Sequence, residues 1–277
     1  MKLIDCFYES PHFSGKHTSY FEVYEELLNN YIDKDITLVE IGVNNGGSLF
    51  MWQQYLGKKC RIIGIDNNEK CKELEKHNFE IYIGNQADPL FWKNFFNKVG
   101  KIDILIDDGG HTNFQQAITL NSAVDNIKDS GLIIVEDLHT SYLKEYGNPS
   151  KYSFKNLMFD YVDKINHRSR SLDYKKALSM PIASINFYES IVALKIKRKT
   201  DYLSDAIVNN KKTLNIIENK FANNGQDKIN DTLYRLKFLQ KIPVLGKSIK
   251  FFAKKILSYL LKLRIKNENK KMKDFFN

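Results

Sequence analysis

The sequence contains few cysteines, no long hydrophobic run and no low-complexity tract, and these absences exclude several classes of protein. Three cysteines in 277 residues, Cys6, Cys60 and Cys71, give neither a disulfide framework nor the paired spacing of a zinc knuckle. No apolar run approaches the roughly 18 residues of a transmembrane helix, and Asp5 and Glu9 stand where a signal peptide needs an unbroken apolar segment. We therefore expect a cytoplasmic protein that is neither secreted nor membrane-spanning.

Net charge is also lacking from most of the chain. The formal net charge of the whole sequence is +9, but residues 241–277 hold eleven Lys or Arg against Glu268 and Asp274, so residues 1–240 are formally neutral. Because this body carries no basic surface signal, we expect no nucleic acid among its partners.

The basic segment has the pattern of an amphipathic helix. Apolar residues recur at three- and four-residue steps after Pro243, at Leu245, Ile249, Phe252, Ile256, Leu260 and Leu263. Such a helix either lies on an anionic membrane, peripherally on its inner face, or packs on the catalytic domain or a second subunit of a homo-oligomer. Periodicity reports a buried face but not what buries it, so these alternatives stay open.

The pattern of residues 1–198 predicts an α/β domain. A hydrophobic fraction of 43% with 18 Phe excludes a disordered chain. Short apolar runs alternate with helical or loop segments, at 38–43, 61–65, 80–83, 102–106 and 132–135. A later pair, 182–187 and 191–196, is separated by only three residues, too few for a crossover helix. We predict a mostly parallel Rossmann-like sheet with a C-terminal antiparallel hairpin and helices on both faces, followed by a helical extension in 199–277.

Two segments outside the predicted sheet carry patterns that bear on how the sheet is covered. Residues 19–31 place aromatic and aliphatic side chains at helical spacing, which predicts an amphipathic helix whose aromatics pack on the core. Residues 151–176 are polar and aromatic and lie where an insertion could cover the end of the sheet. The sequence does not decide whether this insertion is a lid or part of the core.

Two polar clusters follow predicted strands: Asp107-Asp108-Gly109-Gly110-His111 and Glu136-Asp137-Leu138-His139. Ligands of open α/β sheets bind outside the carboxyl ends of the strands, so four carboxylates and a histidine are expected in one crevice. Such a crevice suits a hard divalent cation, Mg²⁺ or Mn²⁺, beside a base. The alternative is that the aspartates only cap helices and turns.

A nucleoside site is predicted at the first two strands. Gly42 and Gly46 form a turn without the GxGxxG spacing, and Glu40 would repel a pyrophosphate but not a cationic ligand. Asp66 ends the second strand, where an acidic group can accept hydrogen bonds from ribose hydroxyls. A nucleoside with a positive charge describes S-adenosylmethionine better than NAD. Additional candidates are Gln86 or Asp88 for the adenine, and Asp107 for either the cofactor's amino group or the metal.

At these positions the sequence resembles the metal-dependent sugar O-methyltransferases of the macrocin and mycinamicin type, within the class I S-adenosylmethionine-dependent methyltransferases. The resemblance spans residues 15–197 and is carried by EIGV at 40–43 with GGS at 46–48, GID at 64–66, DDGGH at 107–111, EDLHTSY at 136–142 and FYESIV at 187–192. The family more often has Ser where this chain has Gly110.

The resemblance implies a class I methyltransferase fold, S-adenosylmethionine and Mg²⁺ as cofactors, and a sugar hydroxyl as substrate. It also implies Asp108, Glu136 and Asp137 as metal ligands and His111 as general base. A nucleotide sugar or a capsular or lipopolysaccharide glycan is the expected acceptor.

Two other interpretations of the same residues are open. An iron(II)-dependent hydroxylase would need two histidines and one carboxylate on one metal, for which His111 and His139 are the candidates. A non-catalytic binding module would use the nucleotide fold only to dock a partner.

Overall fold

The computed structural model describes residues 1–169, 172, 174–198 and 209, and separate positions between 255 and 275. The chain divides into two compact units, Met1–Ile207 and Val208–Asn277, and the predicted boundary after residue 198 stays a prediction. In the second unit, separate positions between Lys255 and Met272 are helical. Most of the apolar positions of the predicted amphipathic helix lie outside the described residues, namely Leu245, Ile249, Phe252, Ile256 and Leu260.

The first unit is built on a seven-stranded sheet with the order β3-β2-β1-β4-β5-β7-β6. The strands are β1 Thr37–Ile41, β2 Arg61–Asp66, β3 Glu80–Ile83, β4 Ile102–Asp107, β5 Ile127–Val135, β6 Ile182–Phe187 and β7 Val192–Ile196. Strands β1 to β5 are parallel, and β7 is antiparallel to both β5 and β6. The predicted fold class and the antiparallel hairpin are confirmed.

Six α-helices in the described part of residues 1–198 cover the two faces of the sheet. They are α1 Leu3–Tyr8, α2 Tyr20–Leu28, α3 Gly47–Leu56, α4 Pro89–Val99, α5 Asn113–Ala123 and α6 Phe154–Asn166. Successive strand residues point to opposite faces, so Leu38 packs with α1–α3 in one hydrophobic core while Val39 packs with α4–α6 in the other. Strands that are buried on both faces are mainly apolar, which explains why their sequence shows runs instead of alternation.

The two segments outside the predicted sheet are both helical. The predicted helix over 19–31 is present as α2, which continues in a 3-10 turn over Asn29–Tyr31. Helix α6 occupies the predicted insertion, and its Phe154, Met158 and Tyr161 are buried in the core with α4 and α5. This helix is therefore part of the core, not a lid. Within the described part of the chain, no helix has the length and apolarity needed to cross a membrane.

Candidate active site

The register of the sheet brings four strand ends into one row. Ile41 of β1 pairs with Ile65 of β2 and with Asp107 of β4, and Asp107 pairs with Val135 of β5. The residues that follow these positions therefore meet at the carboxyl edge of the sheet, where ligands bind in this type of fold.

Gly42 joins the first turn to the loop after β4. Its φ of +89° lies in the left-handed region, and a Cβ at this position would overlap the backbone carbonyl of Asp108. Only glycine permits both the backbone conformation and this close approach. The turn after β1 and the acidic loop after β4 are thus held in direct contact. Gly46 also has a positive φ and is the N-cap residue of α3.

A pocket beside this turn fits the predicted nucleoside site. Its walls include Gly42, Asp66, Gln86, Gly109 and Gly110. The Asp66 carboxylate accepts hydrogen bonds from the backbone nitrogens of Asn44 at 3.0 Å and Asn68 at 2.9 Å, which hold it at the pocket. Of the predicted cofactor residues, Gly42, Asp66 and Gln86 line this pocket.

Asp107 lies beneath the pocket and not on its wall. It is 1% exposed and accepts hydrogen bonds from the Gln86 side-chain amide at 3.0 and 3.2 Å and from the backbone of Gly109 at 3.2 Å. Burial raises the pKa of Asp107, while these donors act to lower it. The Gln86 oxygen in turn accepts a hydrogen bond from Gly110 at 2.7 Å. Asp107 and Gln86 therefore fix the loop that carries Asp108 and His111.

Two other predicted cofactor residues also lie off the pocket wall. Glu40 is completely buried and accepts hydrogen bonds from Ser48 at 2.6 Å and Trp52 at 3.1 Å, and burial raises its pKa. Asp88 is exposed and caps α4, accepting a hydrogen bond from the backbone of Leu90 at 2.8 Å. The structure assigns these two carboxylates to fixing α3 and starting α4.

Lys16 lies among the carboxylates of Glu40, Asp108 and Glu136, which together with Asp137 are called the acidic cluster. Its Nζ lies 2.5 Å from Asp108, 2.6 Å from Glu136 and 3.7 Å from Glu40, and its side chain is only 2% exposed. Burial acts to lower the pKa of Lys16, but the three carboxylates outweigh burial and raise that pKa well above its usual value. A charged lysine therefore offsets part of the repulsion among these carboxylates.

Glu136 faces the interior of the molecule. Its Oε1 contacts Lys16 Nζ and also accepts a hydrogen bond from Tyr24 at 2.5 Å. Burial raises the pKa of Glu136, and Lys16 opposes this effect. Its predicted role as a metal ligand stays a prediction.

The remaining predicted site residues do converge. One ligand atom each of Asp108, His111 and Asp137 lies within 4.8 Å of the others, and His111 Nε2 is 3.4 Å from Asp137 Oδ2. Both His111 and Asp137 have positive φ, 57° and 56°. Non-glycine residues are uncommon in this region, and such backbone strain concentrates at functional sites.

Three residues of the site, Lys16, Tyr20 and Tyr24, are not predicted from the sequence as site residues. The sequence pattern predicts only packing on the core for the aromatics of α2. The Tyr20 hydroxyl donates to Asp137 Oδ1 at 2.6 Å and the Tyr24 hydroxyl donates to Glu136. Tyr20 and Tyr24 are four residues apart in α2, which places both on one side of that helix. Lys16 precedes α2 in a segment without regular structure, so helical spacing carries no signal for it.

The two histidines proposed for an iron site fall into different groups. His111 groups with Asp108 and Asp137, whereas His139 groups with His17 and Asp137. Within the described residues, His111 and His139 therefore do not share the single metal position that the hydroxylase interpretation required.

Comparison with known proteins finds O-methyltransferases that are similar to this chain. No family model matches the chain. The chain is 33% identical over 135 residues to 8-demethyl-8-alpha-L-rhamnosyl tetracenomycin-C 2'-O-methyltransferase of Streptomyces olivaceus. The match covers 46% of this chain and 35% of that protein. The chain is 27% identical over 157 residues to demethylmacrocin O-methyltransferase of Streptomyces fradiae, covering 52% and 39%.

A third relative covers more of the chain. Mycinamicin VI 2''-O-methyltransferase of Micromonospora griseorubida is 25% identical over 199 residues, covering 66% of this chain and 49% of that protein. These relatives are sugar O-methyltransferases. The resemblance to the macrocin and mycinamicin type is thereby confirmed, although the chain spans only a third to a half of the length of these relatives.

A solved structure has the same fold. The MycE methyltransferase of the mycinamycin pathway, in complex with Mg and SAH, has a TM-score of 0.62 and 22% identity, covering 76% of this chain and 56% of that one. The first unit therefore has a class I methyltransferase fold.

Proposed function

We propose that this chain is an S-adenosylmethionine-dependent O-methyltransferase that uses Mg²⁺ and acts on a sugar hydroxyl. One observation carries the proposal: a single cavity is lined by Gly42 and Asp66 of the nucleoside side and by Asp108 and His111 of the acidic side. The cavity can therefore hold a methyl donor next to a base. Transfer of a group between two bound molecules requires this arrangement.

The chemistry of the first pocket supports the methyl donor. Asp66 presents a carboxylate to ribose hydroxyls, and Gly42 lets the backbone approach a bound nucleoside. The similar MycE structure contains SAH, which is the product left when S-adenosylmethionine has given up its methyl group.

The oxygen ligands support Mg²⁺. Asp108 and Asp137 bring carboxylate oxygens close together beside His111, which is a donor set that suits a hard cation. We propose that these two residues hold the ion and that Glu136 joins them. When bound, the ion supplies a Lewis acid that lowers the pKa of a coordinated sugar hydroxyl.

In the proposed reaction His111 is the general base. The hydroxyl oxygen attacks the methyl carbon of S-adenosylmethionine, the bond between that carbon and sulfur breaks, and the hydroxyl proton passes to Nε2 of His111. Asp137 Oδ2, 3.4 Å from this nitrogen, stabilises the imidazolium that forms. Nδ1 of His111 is buried with no hydrogen-bond partner among the described residues, so Nε2 is the nitrogen placed to exchange a proton.

We propose a nucleotide sugar or a capsular or lipopolysaccharide glycan as the acceptor. The names of the relatives state sugar-bearing acceptors, and the basic segment 241–277 would suit a substrate assembled at an anionic membrane.

Calorimetric titration tests the cofactor first. S-adenosylmethionine and NAD are each titrated into the purified chain, with and without Mg²⁺. We expect binding of S-adenosylmethionine and none of NAD. Absence of S-adenosylmethionine binding under every condition would overturn the proposal and favour the hydroxylase or the binding module.

Acceptor screening follows. Release of SAH is measured with nucleotide sugars and with glycans, in Mg²⁺ and in EDTA. We expect SAH release that depends on both a sugar acceptor and Mg²⁺. Turnover with full activity in EDTA would contradict the metal assignment, and turnover on non-sugar acceptors alone would contradict the substrate class.

A further inference from the structure

The two carboxylate oxygens of Asp137 face different sets of side chains. Oδ2 lies on the side of His111, whereas Oδ1 is 3.9 Å from His17 Nε2 and 4.0 Å from His139 Nδ1. His17 is 61% and His139 41% exposed, and His17 lines one cavity together with Asp137.

We propose that His17, Asp137 and His139 form a binding site for a divalent cation that prefers imidazole, with Zn²⁺ the best match. The site shares Asp137 with the proposed Mg²⁺ site but uses its other oxygen. Three ligand atoms within 4.8 Å of one another approach the separation of about 3.4 Å that Zn–ligand distances near 2.0–2.1 Å give in a tetrahedron. Closing the difference requires the His17 and His139 rings to rotate, and His139 Nδ1 would exchange its contact with the Ser190 hydroxyl, now 3.1 Å away, for the cation.

The shared carboxylate is already held in position. The Tyr20 hydroxyl donates to Oδ1 at 2.6 Å, and the backbone nitrogen of Asp137 donates to the same hydroxyl at 3.2 Å. Groups that orient a ligand in this way typically strengthen metal binding. The rings of His17 and His139 lie 5.5 Å apart edge to face, so both imidazoles are near the position that they would share.

The charges around Asp137 leave it available to a cation. Lys16 contacts Asp108 and Glu136, but the basic side chains that contact Asp137 within the described residues are all histidines. Two imidazoles and one carboxylate are a donor set for zinc or for a transition metal such as Co²⁺ or iron(II), whereas Mg²⁺ selects oxygen ligands. The two proposed sites therefore differ in the ion that each prefers.

Titration of the full chain with Zn²⁺ and with Co²⁺, in excess Mg²⁺, tests the site. Binding is followed by calorimetry, and by visible absorption for Co²⁺, whose spectrum reports coordination by nitrogen. We expect one equivalent to bind, and we expect His17→Gln and His139→Gln each to weaken binding more than tenfold. His77→Gln changes a histidine outside the cluster and is the matched control.

The variants distinguish this site from the proposed Mg²⁺ site beside His111. Both altered histidines are partly exposed, so the variants should fold, and circular dichroism confirms it. His111→Gln should leave the Zn²⁺ affinity within threefold of the unaltered chain. Wild-type affinity in both His17→Gln and His139→Gln would overturn the proposal, as would a loss of binding confined to His111→Gln.

Discussion

A single lysine carries positive charge into a group of three carboxylates. Lys16 contacts Asp108 and Glu136 closely, lies 3.7 Å from Glu40, and is nearly inaccessible to solvent. Buried charges are costly when one partner is removed, because the remaining charges lose their compensation without regaining water. Lys16 therefore governs whether the acidic strand ends can stay together when no metal is bound.

Replacing Lys16 should destabilise the chain strongly. We expect Lys16→Met to lower the free energy of unfolding by about 3–5 kcal/mol, because it leaves buried carboxylates without a compensating positive charge. Lys72→Met is the matched control, since Lys72 pairs with Glu75 at 2.6 Å but is 48% exposed, and it should cost less than about 1 kcal/mol. Urea denaturation of both variants without Mg²⁺ measures the difference, and equal losses would contradict the compensating role.

His111 should be needed for turnover but not for cofactor binding. A positioned base typically contributes about 10²- to 10⁴-fold to rate, so His111→Gln should lower kcat by a factor in that range. The dissociation constant for S-adenosylmethionine, measured by calorimetry, should change little. His77→Gln serves as control and should retain full turnover, and wild-type kcat in His111→Gln would show that another group takes the proton.

Cys60 should be unreactive in the folded chain and should make stability fall in alkali. Burial raises the pKa of the Cys60 thiol to about 12, whereas an unfolded thiol has a pKa near 8.5. The folded state therefore binds this proton more tightly, and the stabilising effect is complete below about pH 8.5 and is lost as pH rises towards 12.

A thiol reagent at pH 8 and alkaline denaturation measure these effects. The native chain should react far more slowly than the urea-unfolded chain, and Cys60→Ala should show a shallower loss of unfolding free energy above about pH 8.5. Rapid reaction of Cys60 in the native chain would contradict its burial.

At the scale of elements, the contact between the turn after β1 and the loop after β4 joins the nucleoside pocket to the acidic cluster. Gly42 permits this contact because any side chain would strike the backbone of Asp108. Backbone cannot move aside as a flexible side chain can, so a change here should displace both turns.

Gly42→Ala should therefore cost more than strain alone. Gly147 also has positive φ, +77°, in the left-handed region, but a Cβ there would meet nothing within 4 Å, so Gly147→Ala should cost only the left-handed strain of about 1–2 kcal/mol. Gly42→Ala should lose more stability than this and should also weaken S-adenosylmethionine binding. Urea denaturation and calorimetry measure both quantities, and equal effects of the two substitutions would contradict the close approach.

The strands could be predicted because burial on both faces leaves an apolar run in the sequence. Strand β5 is instructive, since it begins at Ile127 and not at the predicted residue 132. Its added part includes Lys128, Asp129 and Ser130, which are not buried and therefore carry no hydrophobic signal although their backbone belongs to the strand.

The site could be predicted only where it follows strand ends. Asp108, His111 and Asp137 converge because parallel strands end at one edge. Lys16 could not be placed, because its partners Asp108 and Glu136 lie 92 and 120 residues away in sequence. Nor could the sequence tell that Asp88 is used as a helix cap, since an acidic residue after a strand suits both roles.

At the scale of the whole molecule, the charge is concentrated in one segment. Residues 241–277 hold all of the formal net charge of +9, while the body is neutral. If this segment lies on an anionic membrane, each Lys or Arg near the surface contributes about 1 kcal/mol, and binding must weaken as salt screens the charges.

Vesicle sedimentation of the full chain measures its binding to membranes. We expect binding to vesicles with anionic lipid, little binding to neutral vesicles, and roughly 30-fold weaker binding in the double variant Lys250→Gln/Lys254→Gln. Lys58→Gln/Lys59→Gln changes two exposed lysines of the body and should bind as the unaltered chain does. Equal binding to neutral and anionic vesicles would contradict an electrostatic surface contact.

The order of the strands also determines when a newly synthesised chain can complete its sheet. Strand β5, which leads into Glu136 and Asp137, pairs with β4 on one side and on the other with β7, which ends at Ile196. While the ribosome adds residues 138–191, the backbone N–H and C=O groups on this second edge of β5 have no partner, and open edges of this kind can pair with other chains. Glu136 and Asp137 thus follow a strand whose second edge stays open until β7 has been made.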